Sequence, residues 1–270
     1  MHIHRPAPDV VALSDTIEIP GLGYLPVNSY LLHAAEPMLI DTGLPASRTE
    51  FLDALWSAVD PTDLRWVYLT HPDRDHTGSL AAVLDAAPQA RLVTTFTGFG
   101  ITSIDIPITP DRVYLLNPGQ SLDVGDRALT AFRPPVFDSP ATTCVYDAST
   151  GTCFSSDCFG APMGTASEVG AADIAELSAD TLLAGQRLWV TVDSPWVAGV
   201  DRAQFAASLT PLRAMDPELV LSTHLPPARR AMPRLLDMLA GAPDAEPSSA
   251  PTRRCSSRCY PRTRRCRSDP

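Results

Sequence analysis

The sequence predicts an α/β protein in which two mixed sheets lie between outer layers of helices. Its 270 residues, 44% of them hydrophobic, are enough to bury a sizeable core, which rules out both a disordered chain and a small disulfide-stapled one. Strands and helices follow one another as strands, helix, strand, helix, then strands, then helices and one more strand. This order is typical of mixed sheets that are covered by helices on their outer faces.

The first third of the chain is expected to form four strands and two helices. Short apolar and β-branched runs between Pro and Gly turn residues predict strands at Val10–Ile19, Val27–Leu32, Pro37–Ile40 and Arg65–Leu69. Apolar residues at helical spacing predict helices at 47–59 and Leu80–Ala87.

The middle of the chain is rich in short strands, and helices return in the last third. The candidate strands are Arg91–Thr95, Val113–Leu116, Ala128–Phe132, Thr143–Tyr146 and Cys153–Ser155. The later elements are helices at 169–187 and 201–215, a strand at Glu218–Ser222 and a closing helix at Met232–Leu239. The predicted domain therefore covers residues 1–240. Residues 241–270, rich in Pro, Ser and Arg, are expected to form a disordered tail.

Charge is distributed unevenly along the chain. The formal net charge is -10, although residues 253–270 carry seven Arg against one Asp. The preceding part is therefore strongly acidic and should repel nucleic acid; a nucleic-acid-binding role is left open only for the tail. The N-terminus has no signal-peptide pattern and no apolar run reaches spanning length, which predicts a cytoplasmic protein with no membrane contact.

Four potential metal ligands fall within six residues, directly after a predicted strand. They are His71, Asp73, Asp75 and His76. Pro72 disfavours a helical backbone at His71, so that alternate side chains can point towards one cavity before the next helix begins. Dense ligands in a short loop at a strand end favour a metal site over the alternative, an ordinary polar loop that caps the helix.

The segment at 71–76, H-x-D-x-D-H, resembles the H-x-[HDE]-x-D-H signature of the metallo-β-lactamase fold superfamily. Further motifs come in the family's order: LIDTG at 39–43, SSD at 155–157 and STH at 222–224. CFSSDCFG at 153–160 is particularly similar to the β-lactamase-like domain of flavodiiron and oxygen-binding di-iron proteins. The resemblance covers roughly residues 10–226. It implies a four-layer αββα sandwich with a dinuclear metal site at one edge of the sheets.

The resemblance also implies a ligand set, carried over residue by residue. One metal ion would be held by His71, Asp73 and Asp138. The second ion would be held by Asp75, His76 and His224. Asp157 would bridge the two ions, and Asp75 is also the expected catalytic residue. Asp41 matches a buried aspartate that orients the metal loop.

Two aspartates depart from the family's pattern. Asp138 stands where the family has its third histidine, and Asp73 replaces a histidine or a glutamate. The resulting four carboxylates and three imidazoles balance two divalent ions, and hard oxygen ligands favour iron, with manganese or zinc as alternatives. A second interpretation makes Asp138 only a turn residue, which would leave the first metal position degraded. The loop that starts at Asp193 is one where the family often closes its pocket.

Three functions remain open at this point. The first is a di-iron redox enzyme that binds or reduces O2 or a related small molecule. Flavodiiron proteins carry a flavodoxin domain after this one; none is expected here, so a separate protein would donate electrons. The second is hydrolysis of an ester, thioester, lactone or phosphoester by metal-bound hydroxide. The third is a non-catalytic sensor of O2 or metal. A homodimer is also left open.

Overall fold

Two β-sheets pack face to face in the computed structural model, which describes residues 1–246, and helices cover both outer surfaces. This is the four-layer αββα arrangement that the sequence predicts.

The first sheet contains seven strands in the order of the chain. They are β1 (His2–Ala7), β2 (Val10–Ile19), β3 (Gly23–Leu32), β4 (Met38–Ile40), β5 (Trp66–Tyr68), β6 (Arg91–Thr94) and β7 (Val113–Leu115). Strands β1 to β4 pair antiparallel, whereas β4 to β7 run parallel. Parallel neighbours need crossover connections. These contain α1 (Arg48–Ala58), α2 (Arg74–Thr77), α3 (Leu80–Ala86) and α4 (Phe96–Asp105).

The second sheet contains six strands, with one parallel pair near its middle. The strands are β8 (Ser121–Asp123), β9 (Ala128–Phe132), β10 (Cys144–Asp147), β11 (Thr152–Phe154), β12 (Leu219–Leu221) and β13 (Ala228–Arg229). Their order is β13-β12-β11-β10-β9-β8, and only β11 and β12 pair parallel. The long β11–β12 crossover holds α5 (Ala166–Val169), α6 (Ala179–Asp193), α7 (Arg202–Ser208) and α8 (Thr210–Met215), and α9 (Met232–Ala240) follows β13.

Strand residues alternate between two buried faces, which explains the continuous apolar runs. Tyr30 and Ile40 point inward, where they pack with Phe154 of the second sheet. Their neighbours Leu31 and Leu39 point outward and pack against the helices α1 and α3. A third apolar cluster lies between the second sheet and α6 to α9. The central strands are thus covered on both sides.

Several elements differ from the sequence prediction. Helix α4 was not predicted, because it contains two glycines; the Thr95 hydroxyl caps it by accepting a hydrogen bond from Gly98 N (2.9 Å). In place of the helix predicted at 169–187, α6 begins only at Ala179 and continues to Asp193. The helix predicted at 201–215 is divided into α7 and α8 ahead of a proline at the start of α8. The short strands β8 and β13 were also missed.

The described residues extend past residue 240, where the sequence predicts the end of the domain. Residues 242–244 form a 3₁₀ turn, and Ala242 packs into the cluster beside α9. The remainder of the predicted tail, residues 247–270, lies outside the described residues. Within the described range, no helix has the length and apolar character needed to cross a bilayer.

The strand ends that carry the sequence motifs meet at one edge of the sandwich. Direct hydrogen bonds join the two sheets there: Thr143 N donates to Thr70 O (3.0 Å), and Asn28 N donates to Thr223 O (2.9 Å). The Tyr30 hydroxyl also donates to Ser222 O (2.7 Å). Thr223 N donates in turn to Ser156 O (2.9 Å), which joins the loop after β11 to the loop after β12. The ends of β5, β11 and β12 are thus tied to their neighbours at this edge, as expected for a site at the carboxyl ends of strands.

Gly78 permits the loop after β4 to lie against the loop after β5. A Cβ atom at this position would come within 2.3 Å of Gly43 O and within 2.3 to 2.4 Å of the backbone of residues 44 and 45. We predict that Gly78→Ala lowers the free energy of unfolding by at least about 2 kcal/mol, because neither backbone can yield without moving the other.

The matched control is Gly100→Ala in the middle of α4, where an added Cβ would meet nothing within 4 Å. This control should stabilise the protein by about 0.5–1 kcal/mol through helix propensity. Denaturant unfolding of both variants measures the difference. Equal unfolding midpoints would contradict the packing described for Gly78.

Candidate metal centre

Two histidines and two aspartates of the candidate site lie within residues 71–76, directly after β5. His71 is fully buried, whereas Asp73 lies at the protein surface as the N-cap residue of α2 in an extended conformation. Asp75 and the buried His76 follow within α2. The extended backbone before the helix, which Pro72 favours, separates the side chains of the first pair from those of the second.

Asp41 fixes the orientation of His76. Its carboxylate accepts hydrogen bonds from Thr70 N and Thr70 Oγ1, both at 2.9 Å, and lies 2.9 Å from His76 Nδ1. Because an ionised carboxylate only accepts hydrogen bonds, His76 Nδ1 carries a proton and donates it to Asp41. Nε2 of His76 is therefore directed away from Asp41 and into the site.

His224 is oriented in the same way by a backbone carbonyl. His224 Nδ1 donates to Pro26 O at 2.7 Å, which leaves Nε2 3.4 Å from carboxylate oxygens of both Asp75 and Asp157. The ring of Trp189 lies 4.8 Å from the His224 ring, centre to centre, and covers its outer side. The Trp189 indole N–H in turn donates to Asp157 O at 3.0 Å.

Asp157 lies at the centre of the cluster. Its Oδ1 is 3.1 Å from His76 Nε2 and 3.4 Å from His224 Nε2, and its Oδ2 is 3.5 Å from His71 Nε2. The side chain is 6% exposed. All three imidazoles thus direct Nε2 towards a single buried carboxylate.

Asp138 also enters the site, from the segment between β9 and β10. Its Oδ2 lies 3.6 Å from His71 Nε2, and its Oδ1 accepts a hydrogen bond from Thr142 Oγ1 at 3.1 Å. The side chain is 21% exposed. The turn that the sequence suggested is present, since Thr142 N donates to Ser139 O. Asp138 lies directly before this turn, so the turn is compatible with the approach of Asp138 to His71.

All seven residues singled out in the sequence come together. Their potential ligand atoms form overlapping groups within 4.8 Å: His71, His76 and Asp157; Asp75, His76 and His224; His71, Asp73 and Asp138. The first group joins the other two. It shares His76 with the second group and His71 with the third, and it contains Asp157.

The electrostatics of the cluster favour positive charge. Burial opposes the charged form of His224, but Asp157 and Asp75 outweigh it and raise its pKa to about 10. Burial likewise opposes ionisation of Asp75, yet His76 and His224 lower its pKa to about 2. The pKa of His76 is raised well above its usual range because Asp157 and Asp41 outweigh burial. Bound cations would supply the same charge.

Sequence reasoning missed one further carboxylate. Asp193, the last residue of α6, lies within 4.8 Å of both Asp138 and Asp157. Burial, together with those two carboxylates, raises the pKa of Asp193 to about 8. A sequence signal did exist, because an acidic residue at a helix C-terminus opposes the helix dipole and needs another reason to be there. From the sequence, Asp193 is expected only at the start of a pocket-closing loop, after a helix that ends at 187, and not among the metal ligands.

A model of the "ODP family beta lactamase" domain matches residues 25–184 of the chain. The chain belongs to this family. The match includes the 71–76 loop, Asp138 and Asp157, and it ends before His224. The family assignment therefore agrees with the resemblance that the sequence motifs carry.

Two relatives of this family member have names that describe flavoproteins. It is 30% identical over 131 residues to the flavo-diiron protein FprA2 of Clostridium acetobutylicum, an alignment that covers 47% of this chain and 32% of the relative. It is 28% identical over 134 residues to diflavin flavoprotein A 1 of Synechocystis, covering 49% and 23%. The aligned part thus spans between about a quarter and a third of these relatives.

The fold of this family member is shared with a solved oxidoreductase structure. It superimposes on the rubredoxin oxygen:oxidoreductase of Desulfovibrio gigas with a TM-score of 0.78 and 17% sequence identity, covering 92% of this chain and 63% of the other. At this level of identity the likeness shows the fold alone.

We predict that Asp41→Asn destabilises the metal-free protein by about 1–3 kcal/mol. The amide cannot accept from Thr70 and from His76 as the carboxylate does, so at least one buried donor loses its partner. Asp63→Asn, at an exposed position, is the control and should leave the free energy of unfolding unchanged. If both variants unfold like the parent protein in denaturant, Asp41 does not hold the loop.

Proposed function

We propose that the cluster binds two metal ions, with iron favoured, and that the chain is an oxidoreductase acting on O2 or a related small molecule. One observation carries this proposal: three imidazole Nε2 atoms converge on one buried carboxylate, that of Asp157. Imidazole nitrogen and carboxylate oxygen are both ordinary ligands of iron, and a carboxylate that faces several imidazoles can serve two ions at once.

Buried polar atoms without hydrogen bonds indicate that the residues of the cluster fit a pair of metal ions. His71 Nε2, His76 Nε2 and Asp157 Oδ1 are buried and form no hydrogen bond of ordinary geometry, even though His76 Nε2 lies 3.1 Å from Asp157 Oδ1. Unsatisfied buried polar atoms are costly, and here they all face one another. Metal ligation would satisfy all of them, because neutral imidazole nitrogen and carboxylate oxygen are ordinary ligands.

Position one would be held by His71, Asp73 and Asp138, and position two by Asp75, His76 and His224. Asp157 would reach both positions. Bound iron would supply the capacity to exchange electrons with O2. The protein's own contribution is orientation, since Asp41 and Pro26 hold the rings of His76 and His224 with Nε2 facing inward.

The donor set favours iron or manganese over zinc. Four carboxylates and three imidazoles make a hard, oxygen-rich environment. The four carboxylates of these seven residues also balance the charge of two divalent ions. This supports an iron-dependent reaction rather than hydrolysis at a zinc site rich in imidazole.

Asp75 is proposed as the catalytic residue as well as a ligand. Its carboxylate is 3.4 Å from His224 Nε2 and 3.7 Å from His76 Nε2, yet 26% of the side chain stays exposed. It can therefore touch both a bound ion and a small molecule that arrives from solvent. Its low pKa keeps it anionic at neutral pH, which suits metal binding.

The reaction would need electrons from a donor protein. The Desulfovibrio gigas structure is named a rubredoxin oxygen:oxidoreductase, and the Clostridium acetobutylicum relative is named a flavo-diiron protein. Since the aligned part is a minor portion of the relatives, the donor and the substrate of this chain are proposals.

Oxygen uptake by iron-loaded protein with a reduced mediator tests the proposed activity. We expect uptake that depends on both iron and reductant. Zinc-loaded protein should consume no O2 and should not cleave chromogenic esters. Ester cleavage by the zinc form, with no O2 uptake by the iron form, would instead assign a hydrolase. Reversible O2 binding without turnover would assign a sensor.

We predict that Asp157→Asn lowers the iron content from two ions per chain to one or none, because Asp157 faces all three imidazoles. Elemental analysis after anaerobic loading and desalting measures this change. The control is Asp85→Asn, an exposed acid in α3, which should retain two ions. Two ions in the Asp157→Asn protein would contradict the bridging role.

A further inference from the structure

The end of α6 is anchored to the metal centre at two points. The Trp189 indole N–H donates to Asp157 O at 3.0 Å, and Gly160 leaves the space for this ring, since a Cβ there would lie 2.5 Å from Trp189 Nε1. Just beyond the helix, the Trp196 indole N–H donates to Phe137 O at 2.7 Å, next to Asp138. Asp193 lies between these anchors, one turn after Trp189.

Asp193 faces the same space as two of the proposed ligands. Oxygen atoms of Asp138, Asp157 and Asp193 lie within 4.8 Å of one another. Two ligands on opposite sides of a cation with bonds of about 2.2 Å are about 4.4 Å apart, so only a small closure separates this geometry from ligation. One Asp193 oxygen also accepts a hydrogen bond from Ser194 Oγ at 3.0 Å, which restrains the carboxylate.

An independent observation indicates that a cation belongs in this space. His71 is fully buried, and its Nε2 has no hydrogen-bond partner. This atom points between Asp138 Oδ2 at 3.6 Å and Asp157 Oδ2 at 3.5 Å. The Thr70 hydroxyl donates to Asp41, so its oxygen is free to accept from His71 Nδ1–H, 3.2 Å away. The Nε2 lone pair is then available for a metal ion.

We propose that Asp193 is an additional metal ligand and makes the two positions chemically unequal. This inference rests on the proposed metal pair. Position one would have a single imidazole and four carboxylates, those of Asp73, Asp138, Asp157 and Asp193. Position two would have two imidazoles and two carboxylates, from His76, His224, Asp75 and Asp157. Position one should therefore select a hard divalent ion such as Mn²⁺ or Fe²⁺ more strongly than position two does.

Titration of the metal-free full chain with Mn²⁺ tests this assignment, with free Mn²⁺ counted from its electron paramagnetic resonance signal. The parent protein should bind two ions. In Asp193→Asn, one of the two affinities should fall by at least about tenfold while the other stays unchanged. Asp180→Asn removes an exposed acid from the first turn of the same helix and should behave like the parent. If Asp193→Asn does not fold, Asp193→Ser replaces it in the titration, and the same loss of one affinity is expected.

Each other outcome overturns the proposal in a distinguishable way. Two unchanged affinities in Asp193→Asn would remove Asp193 from the ligand set and leave the metal pair intact. An equal loss at both positions would assign Asp193 a general electrostatic or structural role, as would failure of both variants to fold without metal. A parent protein that binds fewer than two ions would overturn the metal pair itself, and the assignment of Asp193 with it.

Discussion

The buried carboxylate of Asp157 is the constraint on which the rest of the site depends. Three imidazoles, two from the 71–76 loop and one from the distant His224, face it at 3.1 to 3.5 Å. To bring them together, both sheets must end at the same edge, and hydrogen bonds between the sheets keep their loops in place. The buried, unsatisfied atoms of this cluster would destabilise the protein unless positive charge is bound there. The stability of the fold and the proposed function therefore both require positive charge at this cluster.

Much of this arrangement could be predicted from local sequence. Strands that are apolar on both faces, such as β3 and β4, need covering layers, and the crossover helices supply them. The motif loop at 71–76 lies at the carboxyl end of β5, as expected from its position after an apolar run. Asp138 was predicted from its place in the order of motifs, and the structure places it 3.6 Å from His71.

Other features depend on contacts that are distant in sequence. Helix α4 contains glycines and has no clear apolar period, so packing and the Thr95 cap determine it rather than propensity. Asp193 could not be assigned to the site, because its approach depends on the Trp189 indole and on the space left by Gly160. Neither contact is visible as a local pattern. A carboxylate at a helix C-terminus is nevertheless a usable signal, because it opposes the helix dipole.

Anomalous diffraction at the iron edge, from crystals of the full chain grown with Fe²⁺ and without oxygen, would test the central claim most directly. The account predicts two peaks: one within bonding distance of His71, the other within bonding distance of His76 and His224, with the Asp157 carboxylate between them. A single peak, no peak, or two peaks away from Asp157 would contradict it.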